Sequence, residues 1–567
     1  MPSKHSNMVS GTSYIVSMLP CCLEGYSTIA HSLLVMLAVT VAHYAVTTIL
    51  LSKAVRDESH LKIPPVVPHY IPFFGSIPWQ YVWSPIEFLT SSYYTLLQHP
   101  VRLRLFTRDF YIIQRREHVV AHLAQTSTSN TIFNATFLRQ ACAMSDEAVA
   151  RMGSEAETTP KYFERKYLAA APLFAWSSYV VHRYLAGRNA LLLLQRFKKN
   201  LHNRIAANAA LAQPEGFMID KFLDFFIHDV TAALLDAMCG KGLLERNPTF
   251  TGAFWTFCDN LPTFMKRTPR FLAPRAIQAR EEVLAAVADW HMWASESFDE
   301  KVTLLDADGD DPFWGSKFFR ERFSAFIHDL GFEARDMASM DLGFLFGASA
   351  NVTVNTYWCA IDVFKDKVLL EDIRREVQGC KVDGDGDRSF DISKLIQQPI
   401  LQAVFAESLR LRCHNMFIRK TTANPHPRLV YAHTWVRAHL LRLPSTGHMD
   451  SKVWSNTTNS HPVDAFWPGR FLKYTDDSET PRFFLVGTEG SWLPSGSGAN
   501  LCPGRHFTKI HCIVTLAMMV ESFDCDILAE PKDLKLDLSK FGMGVLGPSG
   551  KVGARLRRGG LSINRES

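Results

Sequence analysis

The segment Leu493-Pro-Ser-Gly-Ser-Gly-Ala-Asn-Leu-Cys-Pro-Gly-Arg505 sets a single thiol, Cys502, in a glycine-framed loop that leads straight into an apolar helical stretch. A thiolate that ligates a metal needs donors to temper its charge and a backbone that can pass close to a flat ligand. Gly496, Gly498 and Gly504 permit the tight conformations such a loop requires. A helix starting just after Cys502 supplies free backbone N–H groups and positive potential, which lower a thiol pKa. Taken alone, the pattern fits a metal ligand, a reactive nucleophile or a loop with no chemistry.

A second constellation lies upstream. Glu407-Ser-Leu-Arg410 falls on a helical stretch, where residues three apart share a face. A bare pair of this kind is usually a surface ion pair worth a few tenths of a kcal/mol. Some sixty residues later, Phe466-Trp-Pro-Gly-Arg-Phe471 places a second arginine, Arg470, in a fixed frame, and the Cys502 loop comes next.

Glu-x-x-Arg, then Phe-x-Pro-x-Arg-Phe, then Gly-x-x-x-Cys-x-Gly, in this order and spacing, resembles the cytochrome P-450 family. The resemblance implies that Glu407, Arg410 and Arg470 form a buried triad that locks the fold, and that Cys502 is the axial thiolate of heme b (iron protoporphyrin IX). It further implies that Gly498, Gly504, Asn500 and Arg419 border the cofactor. Trp492-Leu-Pro-Ser-Gly-Ser-Gly-Ala-Asn-Leu-Cys-Pro-Gly-Arg505 and Ala348-Ser-Ala-Asn-Val-Thr-Val-Asn-Thr-Tyr-Trp358 are similar to the sterol 7-alpha-hydroxylase and prostacyclin synthase branch, which has many fungal natural-product relatives.

The chain departs from the family pattern in several places. Ser495 stands where a phenylalanine usually packs over the cysteine, Asn500 where an arginine or histidine usually meets a heme propionate, and no Trp-x-x-x-Arg pair is found on an earlier helix. The acid-or-amide and threonine pair that relays protons to bound dioxygen is matched by Asn351-Val352, and valine can neither donate nor accept. Asn351 and Thr353 are the remaining catalytic candidates, although one residue turns a helix by ~100° and should aim Thr353 elsewhere. Water or a substrate hydroxyl would then carry the proton.

The activity implied is oxygen insertion into a C–H bond of an apolar substrate with a polycyclic terpenoid, steroid-like or polyketide skeleton, in secondary-metabolite biosynthesis. Electrons would come from NADPH through a membrane-bound P-450 reductase, since the chain has no flavin or nicotinamide domain of its own. One alternative is a heme-thiolate isomerase or dehydratase acting without a redox partner. Another is a membrane-bound heme or lipid binding protein that has lost turnover.

The elements that must position these residues are legible in outline. The chain has 567 residues, 47% hydrophobic and 21% charged, with 39 Phe and 12 Trp. That is a globular composition with material for a thick apolar interior. A net charge of +5 and the lack of basic runs with interleaved aromatics speak against nucleic acid as a partner. Eleven cysteines without a C-x-x-C pair fit neither a disulfide scaffold nor a structural zinc site.

Ile29 to Leu51 carries no Asp, Glu, Lys or Arg. At ~1.5 Å per residue it can cross a hydrocarbon core of ~30 Å. A cleaved signal peptide fits poorly, and a buried core helix would keep a polar face. Lys53, Arg56 and Lys62 follow the segment while Lys4 alone precedes it, which puts the body in the cytoplasm. The expected order is a lumenal tail at 1–28, a transmembrane helix at 29–51, a basic, proline-rich spacer at 52–80 and a catalytic domain at 81–567. The membrane would be that of the endoplasmic reticulum, crossed once. Val101 to Phe106 and Phe110 to Ile113 suggest a hairpin. Ala148 to Glu376 is mostly of helical period, with a loop-rich break at Pro262, Pro269 and Pro274. Pro399 to about Leu472 looks more irregular and strand-like, and a last long helix should begin near Arg505. The fold class expected is mainly α with smaller β-sheets, as one large domain behind one anchor.

Overall fold

A computed structural model of the chain describes residues 12–56, 64, 66–68, 101–105, 108–113, 116–123, 128–129, 131–153, 168, 172–208, 216–306, 308–382, 390–421, 439–442, 444–455, 461–475, 478–496 and 501–559. The first helix, α1, runs Thr12–Arg56. It starts well before the expected anchor, so part of the segment N-terminal to that anchor is helical too. Within it, Ala30–Lys53 has a mean hydropathy of 2.1 and is almost wholly unpacked, Leu51 near its end being buried. Leu33, Leu34, Met36 and Ile49 all face outward, which rules out a buried core helix. This is one helix long and apolar enough to cross a membrane.

Of the spacer expected at 52–80, residues 52–56 are the end of α1, and Pro64 and residues 66–68 are also described. Val66 bridges Arg102 in parallel and the Val67 N–H donates to Arg102 O at 2.8 Å, with Val67 fully buried. The prolines hold this stretch extended, as expected, yet it is not a free spacer: it extends the edge of a sheet. The hairpin forms as predicted, β1 Val101–Leu105 against β2 Arg108–Ile112. With β3 Thr128–Ser129, β5 Phe417–Thr421 and β6 His439–Arg442 it builds a sheet of order β1-β2-β6-β5-β3. A three-stranded sheet joins β4 Phe217–Ile219, β10 Gly553–Arg558 and β9 Phe523–Leu528, and β7 Leu472–Thr475 pairs with β8 Ser478–Phe483.

The remaining mass is helical. The longest of these helices, α2, spans Ala334–Lys365 and is buried on nearly every side. A helix apolar or satisfied all round sits inside a large protein. Its buried carboxylates are paired: Asp341 meets Arg322 and His291, the latter at 2.9 Å, and Asp362 accepts from Arg412 at 2.9 Å. Trp358 Nε1 donates to Leu546 O at 2.7 Å. After it come α3 Lys367–Gln378, α4 Pro399–Arg412 and α5 Arg505–Ser522.

Two sequence expectations need correction. Pro399 opens a regular helix, because a proline at its first position gives up an N–H that has no intrahelical partner anyway. The next two N–H groups, of Ile400 and Leu401, are capped by Glu376 at 2.8 and 3.0 Å. Likewise Pro262 and Pro274 sit in the first turns of helices Leu261–Met265 and Pro274–Ser297, so these prolines start elements rather than open a loop.

Candidate functional site

The carboxylate of Glu407 and the guanidinium of Arg410 stand one turn apart on α4, both completely buried. Arg410 donates through Nε at 2.7 Å and Nη2 at 2.8 Å to the two carboxylate oxygens. Arg470 Nε donates to Glu407 at 3.2 Å, and the Trp467 N–H adds a further bond at 3.1 Å. The two arginines spend their other donors on carbonyls: Arg410 on His448 O and Val463 O, Arg470 on Trp454 O and His461 O. This is no surface pair. It is a buried three-charge network whose members pin α4 to the segment 448–471.

That network continues into the cysteine loop. Trp492 Nε1 donates to Ala406 O on α4 at 3.2 Å, and the Leu493 N–H donates to His448 Nε2 at 3.2 Å. Asn415 Nδ2, just past the end of α4, donates to Pro494 O at 3.0 Å. The Cys502 N–H closes the loop on Ser495 O at 2.9 Å, and Gly496 adopts φ +77°, a conformation that favours glycine. Gly504 is different. Its φ is −85° and an added Cβ would meet nothing within 4 Å, so conformational freedom does not account for it. It is the N-cap of α5, two residues past Cys502.

Nine cysteine side chains are described, and Cys502 alone among them is exposed. The protein crowding the rest of the thiol pushes its pKa up. The backbone N–H groups of Gly504 and Arg505 and the Arg505 guanidinium act the other way. A thiolate at this place has its donors ready, as a charged sulfur ligand requires. The open sulfur, the flanking amides and the bare Gly504 suit a flat, metal-centred group. Gly498 and Asn500 lie outside the described residues; the backbone of Arg419 pairs with Leu440 in β5, and its side chain is also outside them.

The two α2 candidates part company. Asn351 is half-buried, and its Oδ1 accepts from the Val545 N–H at 2.9 Å. Thr353 is fully buried, with its hydroxyl 3.4 Å from Thr231 Oγ1, which also accepts from Trp255 Nε1. The ~100° turn per residue does aim it away from Asn351. Val352 is buried and offers no polar atom. The arrangement does not form a donor–acceptor relay from α2. Asn415 and His448 belong to no motif, and Trp492 was legible only as the first residue of the loop motif; the contacts of all three depend on chain segments far apart in sequence.

Comparison with known proteins agrees with this geometry. The cytochrome P-450 family profile matches residues 316–552. The chain is 27% identical to cytochrome P-450 monooxygenase fsoE of Humicola fuscoatra over 524 residues, 88% of each chain. It is 32% identical to cytochrome P-450 monooxygenase calL of Penicillium decumbens over 306 residues, 54% of this chain and 56% of that one. Cholesterol 7-alpha-monooxygenase of Cricetulus griseus is 22% identical over 310 residues, 52% and 56% of the two chains. The chain belongs to the cytochrome P-450 family. It is a heme-binding monooxygenase, an oxidoreductase of mainly helical fold whose cofactor is held by a cysteine thiolate, and it works with a redox partner on a small molecule.

Proposed function

We propose that Cys502 is the axial heme ligand and that the enzyme hydroxylates or otherwise oxidises an apolar, polycyclic skeleton, terpenoid or steroid-like, in secondary-metabolite biosynthesis. The observation that carries the ligand assignment is the exposed thiol at the N-terminus of α5, flanked by the amides of Gly504 and Arg505. When bound, thiolate-ligated heme supplies the activation of dioxygen that C–H oxidation needs. The chain's own residues supply the frame. Glu407, Arg410 and Arg470 hold α4 against the loop, and Asn415, His448 and Trp492 fix where Cys502 sits.

The polycyclic substrate class is supported by the likeness to a cholesterol 7-alpha-monooxygenase and by the aromatic interior; function carried over from a fold alone would not suffice. Ala30–Lys53 supports a single-pass anchor in the endoplasmic reticulum membrane, with the catalytic domain in the cytoplasm beside an NADPH-dependent P-450 reductase. The second reading, an isomerase or dehydratase, is favoured by one feature: α2 lacks a proton relay, since Val352 is apolar and Thr353 faces Thr231. Turnover in microsomes with and without reductase separates the two. The monooxygenase requires NADPH and reductase for product; full-rate product without an electron source establishes the isomerase instead.

A further inference from the structure

Cys359 on α2 and Cys512 on α5 face each other where the two helices pack, with their sulfurs 3.8 Å apart and both side chains buried. On the side of α4, Cys359 Sγ lies 4.0 Å from Val404 O. Two buried cysteines in contact are ordinarily small apolar filler. The amide beside this pair sets it apart. Asn355, one turn before Cys359 and itself fully buried, donates from Nδ2 to Cys359 Sγ at 3.8 Å and to Cys512 Sγ at 3.7 Å. Its Oδ1 meets no partner among the described residues. An orphaned buried acceptor carries a desolvation cost that a small hydrogen-bonding molecule removes.

The two thiols are not equivalent. Burial pushes the Cys359 thiol up, and the bond it shares with Cys512 adds to that. Burial raises the Cys512 thiol too, but hydrogen bonds from its neighbours Cys359 and Asn355 outweigh it and bring its pKa below the ordinary thiol value. Cys512 is therefore the sulfur that gives up its proton, and Cys359 the one that keeps it.

We propose that Cys359 and Cys512 form an oxidation site, at which hydrogen peroxide converts the two thiols to a disulfide that staples α2 to α5, with Asn355 as the positioning residue. The Cys512 sulfur attacks one peroxide oxygen and the O–O bond breaks. The products are a Cys512 sulfenic acid and, with the thiol proton, one water. The Cys359 sulfur then attacks the Cys512 sulfur, the S–O bond breaks, and the hydroxyl leaves with the Cys359 proton as a second water. The thiols lose two electrons in all, and one peroxide is reduced to two waters. Asn355 Nδ2 steadies the charge on sulfur, and Oδ1 accepts from the peroxide O–H. The sulfurs need only close from 3.8 Å to the ~2.05 Å of a disulfide. In a reducing compartment such a pair is a sensor and not a scaffold. Its closure bears on the Cys502 loop, because Gly504, two residues past Cys502, caps the helix that carries Cys512. The inference stands on these residues and not on the monooxygenase reading above.

The test is peptide mapping by mass spectrometry. The heme-loaded full chain in lipid nanodiscs is treated with hydrogen peroxide in small molar excess, then quenched in denaturant with an alkylating agent or with dimedone, which marks sulfenic acids. Wild type should yield a linked Cys359–Cys512 peptide that dithiothreitol separates, with the loss of two alkylatable thiols. Cys359→Ala should give no linked peptide and a dimedone mark on Cys512; Cys512→Ala should leave Cys359 unmarked. Asn355→Leu keeps the side chain's approximate shape but neither its donor nor its acceptor, and should form the linked peptide at least tenfold more slowly. A role in shape alone predicts the wild-type rate for Asn355→Leu, and that result overturns the proposal. So does a wild type that gives no linked peptide at a dose that oxidises the thiols of the denatured chain, or one in which the mark falls on Cys359 instead of Cys512. The thiolate-type carbon-monoxide band, recorded on the same samples, shows that each variant is folded and heme-loaded. Its absence from wild type strikes the heme-thiolate reading and leaves the result on the cysteine pair standing.

Discussion

The shell around Cys502 and the open face of α2 belong to one protein and follow opposite rules. Around the loop, Glu407, Arg410 and Arg470 are buried and mutually satisfied, and the bonds of Trp492, Leu493 and Asn415 tie the loop to α4 and His448. On α2, a glycine leaves space, and among the described residues the Asn351 amide makes one side-chain hydrogen bond, accepted by its oxygen. The difference teaches a division of labour. The side that holds the metal ligand is over-determined, so the sulfur cannot wander. The α2 face around Gly347 is not filled in the same way: a Cβ there would meet nothing within 4 Å, which leaves room of the kind a ligand uses.

The largest effect expected is on the rigid side. Glu407→Ala strands two buried guanidinium groups and Arg470→Ala leaves part of the Glu407 carboxylate uncompensated, at ~3–5 kcal/mol for a broken buried pair. Both variants should give little heme-loaded protein; normal heme content and an unchanged melting temperature in both would erase the contrast between the two regions.

Removing residues 1–53 should cut membrane association strongly while sparing both regions, since the apolar surface of Ala30–Lys53 is almost wholly exposed. Fractionation together with the heme spectrum checks this. Loss of all folded heme protein would mean that the helix is part of the core.

A smaller effect is expected at His511. It is buried on α5 against Phe197, neither ring nitrogen has a partner, and burial lowers its pKa from 6.5 to about 3. The folded state therefore keeps it neutral while the unfolded chain protonates below about 6.5. Its contribution is fully present above that pH and is lost as pH falls towards about 3. His511→Leu should remove one proton's worth of slope, about 1.4 kcal/mol per pH unit, from the acid limb of the stability curve. Equal slopes for variant and wild type in denaturant melts across that range would contradict it.

The smallest effect belongs to Val352→Thr. A helical threonine can bond its hydroxyl back to the carbonyl four residues earlier, as Thr356 does to Val352 O at 2.7 Å. The new hydroxyl should be absorbed within the helix, leaving product and peroxide yield per NADPH near wild type. A marked rise in coupling would show that α2 can still reach bound dioxygen at this position.

How much of this was legible beforehand follows from what each feature depends on. The triad and the cysteine loop were readable because each needs particular residue types at fixed local spacing. The apolar span expected at 29–51 lies close to Ala30–Lys53, the stretch apolar enough to cross a membrane, but the helix that carries it, Thr12–Arg56, was not legible at its start, since Pro20 and Glu24 interrupt the apolar run. The bond that orients Asn351 was not legible, because its partner, the Val545 N–H, is a backbone group with no sequence signature. The same holds for Asn415 and His448. The freedom of Gly504 was inferred from residue type, but its ordinary φ shows that type alone does not reveal conformation.

The central claim is the ligand. Reduced, carbon-monoxide-treated wild-type protein should show the absorption band of a thiolate-ligated heme, and Cys502→Ser should lose it while Cys413→Ser, whose buried thiol lies near Pro494, keeps it. A wild type without that band, or a Cys502→Ser protein that retains it, would contradict the account.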